Sequence, residues 1–232
     1  MYLRKWDDLP DFMRCEEVAP YYEIIRKKRL SLIAKRLFDI IISLLMLVIA
    51  AIPMLIIAII IKIDSPGPIF YRQERVTTYG KRFHIHKFRT MVNNADRIGS
   101  AVTVDKDSRI TKVGSKLRDK RVDEIPQLID VFVGNMSFVG TRPEATKYVE
   151  KYTNEMKATL LLPAGITSEA SIRYKDEARL LSTAEDADKV YVEVVLPDKM
   201  KYNLLSIKNF SFWRDVATMF RTVFAVFGRD YK

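Results

Sequence analysis

Cysteine and histidine are scarce in this 232-residue chain. Cys15 stands alone, so no internal disulfide can form, which fits a reducing compartment without proving one. Cys15 precedes a long apolar run, but an ordinary thiol is a simpler reading than a lipid attachment point. With only His84 and His86, and no paired cysteines, a structural zinc site is not expected. Internal repeats and low-complexity tracts are absent. Helix-turn-helix, zinc-finger and RNA-reading motifs are absent too, so the basic charge does not read as nucleic-acid binding. No small-residue cleavage site follows the apolar run, and the run starts late, so a secretory signal peptide is a poor reading.

What is present is basic charge and one uninterrupted hydrophobic block. The 39 Lys and Arg outnumber the 29 Asp and Glu, for a net charge of +10. Such a chain favours an anionic membrane surface or phosphorylated substrates. From Ile40 to Ile61 no charged residue occurs. Roughly 20 apolar residues cross the hydrocarbon of a bilayer. Arg26, Lys27, Lys28, Arg29, Lys35 and Arg36 stand upstream; Lys62, Arg72, Arg75, Lys81 and Arg82 stand downstream. Positive charge on both flanks is best met if both ends face the cytoplasm. Pro53, near the middle of the block, removes a helical hydrogen bond and clashes with the preceding turn. The expectation is a re-entrant, proline-broken membrane helix over 35–64, with a kinked single span as the alternative. Residues 1–34 read as an N-terminal tail followed by a short interfacial helix over roughly 19–34.

Residues 65–232 read as a catalytic domain. Ser65-Pro66-Gly67-Pro68 is a rigid turn. Residues 69–76 and 81–91 alternate as two strands about a Tyr79-Gly80 turn, a β-hairpin. Residues 92–99 look helical and 100–108 a polar loop. Thr111 to Phe132 has helical spacing, 133–144 holds a short strand between glycine turns, 145–161 reads as an amphipathic helix and 176–206 as mostly helical. The fold class is therefore α+β: a mainly helical cytosolic domain with a small β-hairpin. At the C-terminus Phe210, Trp213, Val216, Phe220, Val223, Phe224 and Phe227 recur at helical spacing among basic residues. That aromatic face suits a membrane interface, the core, or a homodimer contact.

The chemistry concentrates at Asp123-Glu124. Two adjacent carboxylates beside Pro126 fit an ordinary helix start. Their neighbours argue for more: Arg118, Lys120 and Arg121 precede them, Arg142 follows in a glycine-flanked turn, and Lys87 and Arg89 end a strand. Cations converging on two carboxylates suit a phosphate ester with a divalent metal. A carboxylate can attack phosphorus to give an acyl phosphate, while Mg²⁺ and arginine forks stabilise the transferring oxygens.

The succession KRLFDI, apolar block, SPGPIFYRQERV, FHIHKFRTM and RVDEIPQLIDVFVGNMSFVGTRPE resembles the bacterial sugar transferase family, the monotopic phosphoglycosyl transferases that start glycoconjugate assembly on undecaprenyl phosphate. The likeness runs from about Lys35 to the C-terminus. It implies a re-entrant anchor at Pro53, Mg²⁺ as cofactor held by Asp123 and Glu124, and a two-step reaction. Asp123 matches the nucleophile and Glu124 the partner acid; Lys87, Arg118 and Arg142 match phosphate-contacting cations, and Arg89 is grouped with them by position. The implied partners are a nucleotide sugar (UDP by expectation), undecaprenyl phosphate and membrane lipids, at the bacterial inner membrane with the domain facing the cytoplasm. Three departures stand out. Thr141 replaces a usual proline, which bears on how Arg142 is held. Pro163-Ala164-Gly165-Ile166-Thr167-Ser168 replaces a usual Pro-Gly-Leu/Ile-Thr-Gly, so no sugar preference carries over. Ile52-Pro53 stands where Ser-Pro is common. A non-catalytic module that recruits partners to a membrane surface is the rival reading; the intact acid pair argues against it.

Overall fold

The computed structural model describes residues 3–95, 107–174, 177, 181 and 186–227. Helix α1 (Ala19–Arg26) leads into α2 (Arg29–Asp64), followed by strands β1 (Phe70–Val76) and β2 (Arg82–Phe88). Then come α3 (Lys112–Asp119), a 3-10 turn (Val122–Glu124), α4 (Gln127–Val133) and β3 (Met136–Val139). α5 (Thr146–Val149), a 3-10 stretch (Glu155–Leu161), β4 (Ala164–Thr167) and α6 (Glu169–Arg173) continue the chain. α7 (Ala187–Val190) passes through a π turn into α8 (Leu196–Lys208), and α9 (Phe212–Phe227) closes the described chain.

Helix α2 has 36 residues and stays helical through Pro53, so the proline does not end it. At about 1.5 Å per residue it is long enough to cross a bilayer, and it is the one such helix among the described residues. Its apolar side chains are largely uncovered: Val48 and Ile49 are 68% exposed and Ile52 72%. Polar contacts tie both ends to the domain. Lys35 Nζ donates to the Val139 carbonyl at 2.7 Å and pairs with Asp215 at 2.5 Å. Arg36 donates to the carbonyls of Val131 and Phe132, both at 2.8 Å. The Asp39 carboxylate accepts from the Phe138 amide. At the far end, Arg89 donates to the carbonyls of Ser65 (2.6 Å) and Pro66 (2.9 Å).

The hairpin forms as the alternation predicts, antiparallel with Tyr71 opposite Lys87 and Arg75 opposite Phe83. Tyr79 takes φ +58° in the connecting turn. The strand expected within 133–144 is β3. Its parallel partner β4 was not expected, because four residues around a glycine carry no periodicity of their own. Gly140 and Gly165 let the two chains approach: a Cβ on Gly165 would lie 2.1 Å from the Gly140 nitrogen. The helix expected over Thr111–Phe132 is three pieces, because Arg121 turns the chain with φ +55° and Pro126 begins a new helix. The helix over 145–161 likewise splits in two. Within 92–99, residues 92–95 form a turn with Asn94 at φ +60°; residues 96–99, and the expected loop up to 106, lie outside the described residues.

The N-terminal segment corrects the expectation of a tail and an interfacial helix. Leu9, Met13, Val18, Tyr21, Tyr22 and Ile25 are buried in the main core with Leu161, Leu196, Met200 and Ile207. Tyr21 donates to Glu155 at 2.5 Å and Trp6 meets Tyr22 edge-on. An apolar stripe on a short helix suits a bilayer or a core equally; the complementary face of α8 decides for the core. The second cluster, Phe83, Ile85, Leu128, Val131, Met136 and Phe138, packs under Phe38, Ile42 and Leu47 of α2. In α9 the expected stripe divides. Phe210 before it is buried, while Trp213, Phe220, Val223 and Phe224 are exposed. The inner face is pinned by Asp215 to Lys35, Thr218 to Glu169 and Thr222 to Thr167.

Removing one partner of a buried ion pair costs roughly 3–5 kcal/mol, whereas replacing both costs less. Lys35→Met should therefore lower the thermal unfolding midpoint markedly, and Lys35→Met with Asp215→Leu should recover part of that loss. Equal losses for the single and double variants would show that the pair does not hold α2 to the domain.

Candidate active site

Asp123 and Glu124 occupy the 3-10 turn between α3 and α4. The positive φ of Arg121 reverses the chain just before them, a conformation with a cost that concentrates at functional sites. The turn sits against the hairpin. Asp130 of α4 accepts from the backbone amide of His86 at 2.8 Å and meets its ring at 2.9 Å, which fixes α4 on β2. Lys87, one residue on, thereby reaches Glu124.

Glu124 Oε1 accepts from Lys87 Nζ at 2.8 Å and from Arg142 at 2.5 Å. Burial alone would raise the Glu124 carboxyl, but Arg142 and Lys87 outweigh it and hold the group well below the usual carboxylate range. The cations respond in opposite ways. Glu124 raises Arg142, whereas burial pulls Lys87 down despite its partner. Asp123, 8% exposed, goes the other way. Burial, then the neighbouring Glu124 charge, push its carboxyl up, against Lys87, Arg118 and Arg142. Glu124 thus carries the ion pairing. Asp123 is left poorly solvated, only partly compensated and correspondingly more basic, a condition that favours nucleophilic attack.

Arg142 is well placed although Thr141 stands where proline was expected. The Thr141 carbonyl accepts from the Gly165 amide at 2.9 Å, and the Gly140 amide donates to the Thr167 carbonyl at 3.0 Å. The β3–β4 ladder, extended by these bonds, does the restraining that a proline ring would do. Behind it, buried Glu144 accepts from the Tyr191 hydroxyl at 2.5 Å and lies 3.7 Å from Lys199.

Two cavities flank the acid pair. The first, about 500 Å³, is lined by Asp123, Lys87, Arg118, Arg109, Arg75 and Tyr71 among others. The second, about 300 Å³, has Glu124 and Arg142 on its wall and is otherwise mostly apolar.

Of the expected site residues, Asp123, Glu124, Lys87 and Arg142 converge, and Arg118, in the last turn of α3, lies within electrostatic reach of Asp123. Arg89 stands at the edge of this group. It borders the first cavity, but its guanidinium holds the carbonyls at the end of α2, with Ser65 Oγ at 2.9 Å, as a cation does at a helix C-terminus. Arg75 was read only as flanking charge. It shares a strand face with Tyr71 and Gln73, borders the cavity, and donates to Gln73 at 2.5 Å and to the Pro143 carbonyl at 3.5 Å. The period-two alternation of β1 was the signal that could have found it. Pro53 is exposed in α2, remote in sequence from every site residue.

A long, largely uncovered apolar helix is joined at both ends to an α+β domain, and that domain holds the Asp123-Glu124 pair among Lys87, Arg118 and Arg142. The chain belongs to the bacterial sugar transferase family, which it matches over residues 30–229. It is 34% identical over 168 residues to the UDP-N-acetylgalactosamine-undecaprenyl-phosphate N-acetylgalactosaminephosphotransferase of Aeromonas hydrophila, covering 71% of this chain and 37% of that protein. To the UDP-glucose:undecaprenyl-phosphate glucose-1-phosphate transferase of Escherichia coli K12 it is 35% identical over 174 residues, 73% of this chain and 35% of the relative. It is 44% identical over 117 residues to the exopolysaccharide production protein PSS of Rhizobium leguminosarum, 50% of this chain and 58% of that protein. The chain thus spans only about a third to three-fifths of the length of these relatives.

Glu124→Gln keeps the shape but removes the charge shared by Lys87 and Arg142. Turnover should fall about a hundredfold, the scale of one lost electrostatic contact in a dry site, with a lowered unfolding midpoint as two half-buried cations lose their partner. Unchanged turnover, measured as release of nucleoside monophosphate, would remove Glu124 from the machinery.

Proposed function

We propose that this chain transfers a sugar-1-phosphate from a nucleotide sugar, a UDP-sugar by the names of its relatives, to undecaprenyl phosphate at the bacterial inner membrane. This would be the first membrane step in building a polysaccharide or glycoconjugate. The observation that carries the reading is the division of labour at Asp123-Glu124. Glu124 holds Lys87 and Arg142 in place, while Asp123 stays among cations but unsated.

In the first step an Asp123 carboxylate oxygen attacks the phosphorus bonded to the sugar. The bond from that phosphorus to the bridging oxygen breaks, and its electron pair leaves with the nucleoside monophosphate. In the second step a phosphate oxygen of the polyprenyl acceptor attacks the same phosphorus. The acyl-phosphate bond breaks and the Asp123 carboxylate is restored. Lys87, Arg118 and Arg142 orient and neutralise the phosphoryl oxygens, and burial keeps water from the acyl phosphate. Among the described residues no group of three or more His, Cys, Asp or Glu gathers. Asp123 and Glu124 are the residues that would hold an Mg²⁺, an ion that takes one or two carboxylates and the rest of its shell from phosphate and water. Bound there, it would supply charge neutralisation for the leaving phosphate.

The anchor reading is a re-entrant helix entered and left from the cytoplasmic side. It is supported by the contacts at both ends of α2: Lys35, Arg36 and Asp39 at one end and Ser65 at the other all join the same domain. A helix with one end across the bilayer would have to carry part of that domain with it. The exposed Trp213, Phe220 and Phe224 of α9 suit the interface beside it; a homodimer contact is the other use of that face.

In membranes supplied with a panel of UDP-sugars and undecaprenyl phosphate, the chain should release UMP with one or a few of them, and Asp123→Asn should abolish release. Normal turnover by that variant would end the nucleophile assignment. In a Cys15→Ser background, single cysteines placed before Lys35 and after Asp64 should both react only with a cytoplasmic label. Labelling from opposite sides would make α2 a span.

A further inference from the structure

The two cavities at the acid pair differ in chemistry. The polar one beside Asp123 has arginines and a lysine on its wall, as a nucleotide diphosphate requires. The other is lined by Met46, Ile125, Leu128, Phe138, Ile166 and Ile172. Its hydroxyls are turned on one another. Thr167 and Thr222 lie 2.7 Å apart, Thr222 donates to the Thr218 carbonyl at 2.8 Å, and Ser171 meets Ser168 at 3.0 Å. What these residues present to the space is therefore mostly methyl groups. Met46 belongs to the apolar run of α2, and Ala225 to the aromatic helix α9, so two walls come from the elements with the most uncovered apolar surface. Charge enters through Arg121, Arg142 and Glu124.

We propose that this apolar cavity holds the isoprenoid units next to the phosphate of the lipid acceptor, with that phosphate drawn to Arg142. The assignment rests on the transferase reading and adds to it where the second substrate sits. A charged nucleotide sugar would lose hydration against the apolar walls over most of its length, whereas each buried methylene of an isoprenoid is favourable. The nucleotide and the isoprenoid would lie on opposite sides of the Asp123-Glu124 turn, while the leaving oxygen of the first step and the attacking oxygen of the second each take the position in line with the Asp123–phosphorus bond. The cavity is far too small for the whole polyprenyl chain, so the remainder lies along α2 in the bilayer.

The test separates the half-reactions in the full chain. Exchange of labelled UMP into the UDP-sugar, with no acceptor present, reads the first step; the KM for undecaprenyl phosphate reads the second substrate. Ile172→Trp fills the cavity. It should leave exchange within about twofold of the parent and raise the acceptor KM about tenfold or more, since lost apolar contact acts on binding. Ile172→Ala, which keeps the space and threatens folding less, should raise the KM several-fold with exchange again unchanged. An acceptor KM unchanged in both variants would overturn the proposal and point to another lipid in the cavity. Exchange and transfer falling in parallel in both would overturn it as well, by giving the cavity to the donor or to the fold. Absence of exchange in the unsubstituted chain, with transfer intact, would instead bring down the covalent reading and this assignment with it.

Discussion

A run of uncharged apolar residues and a polar, cation-rich site have to be held in register, and the structure depends on how that is done. Lys35, Arg36 and Asp39 stand on the first third of α2 and bind backbone groups of α4 and β3 together with Asp215 of α9. Arg89 closes the other end by gathering the carbonyls that a helix C-terminus leaves without partners. Charged groups buried there would be costly alone. Paired, and bonded to backbone, they fix which elements meet the helix. The turn carrying Asp123 and Glu124 is attached to α4, so the height of the site relative to α2 follows from these same bonds.

The site uses burial in two opposed ways. Glu124 is half-buried with enough cation to stay ionised, and so serves as the post on which Lys87 and Arg142 are hung. Asp123 is buried with less, and its carboxyl rises. Two adjacent acids thereby acquire different properties from their partners, not from their identity. The β3–β4 ladder secures Arg142 through Gly140, Thr141 and Gly165, where close backbone approach replaces the stiffness of proline.

Much of this was legible in advance. The apolar run, the hairpin and the acid pair among cations each follow from local pattern, and all three are found. Arg89 borders the same cavity as Lys87, but its guanidinium bonds the carbonyls of Ser65 and Pro66. On a strand, residues two apart share a face, yet only the position of the α2 terminus decides that Arg89 meets carbonyls. The N-terminal stripe was misread because amphipathicity reports a face without reporting what covers it. β4 was missed because four residues paired in parallel to a distant strand leave no periodic trace.

The sequence by itself determined the apolar segment and the hairpin, which rest on composition, period and turn chemistry within a few tens of residues, and the acid pair, whose members are adjacent; the family came from the resemblance of a succession of motifs spread along the chain. Only the tertiary structure decided that Glu124 is the counter-charge and Asp123 the freer acid, that residues 3–26 belong to the core, and that the turn lies between a polar and an apolar cavity. The physical reason is separation. Lys35 finds Asp215 across 180 positions and Lys87 finds Glu124 across 37, and no local pattern encodes which distant charge a side chain will meet.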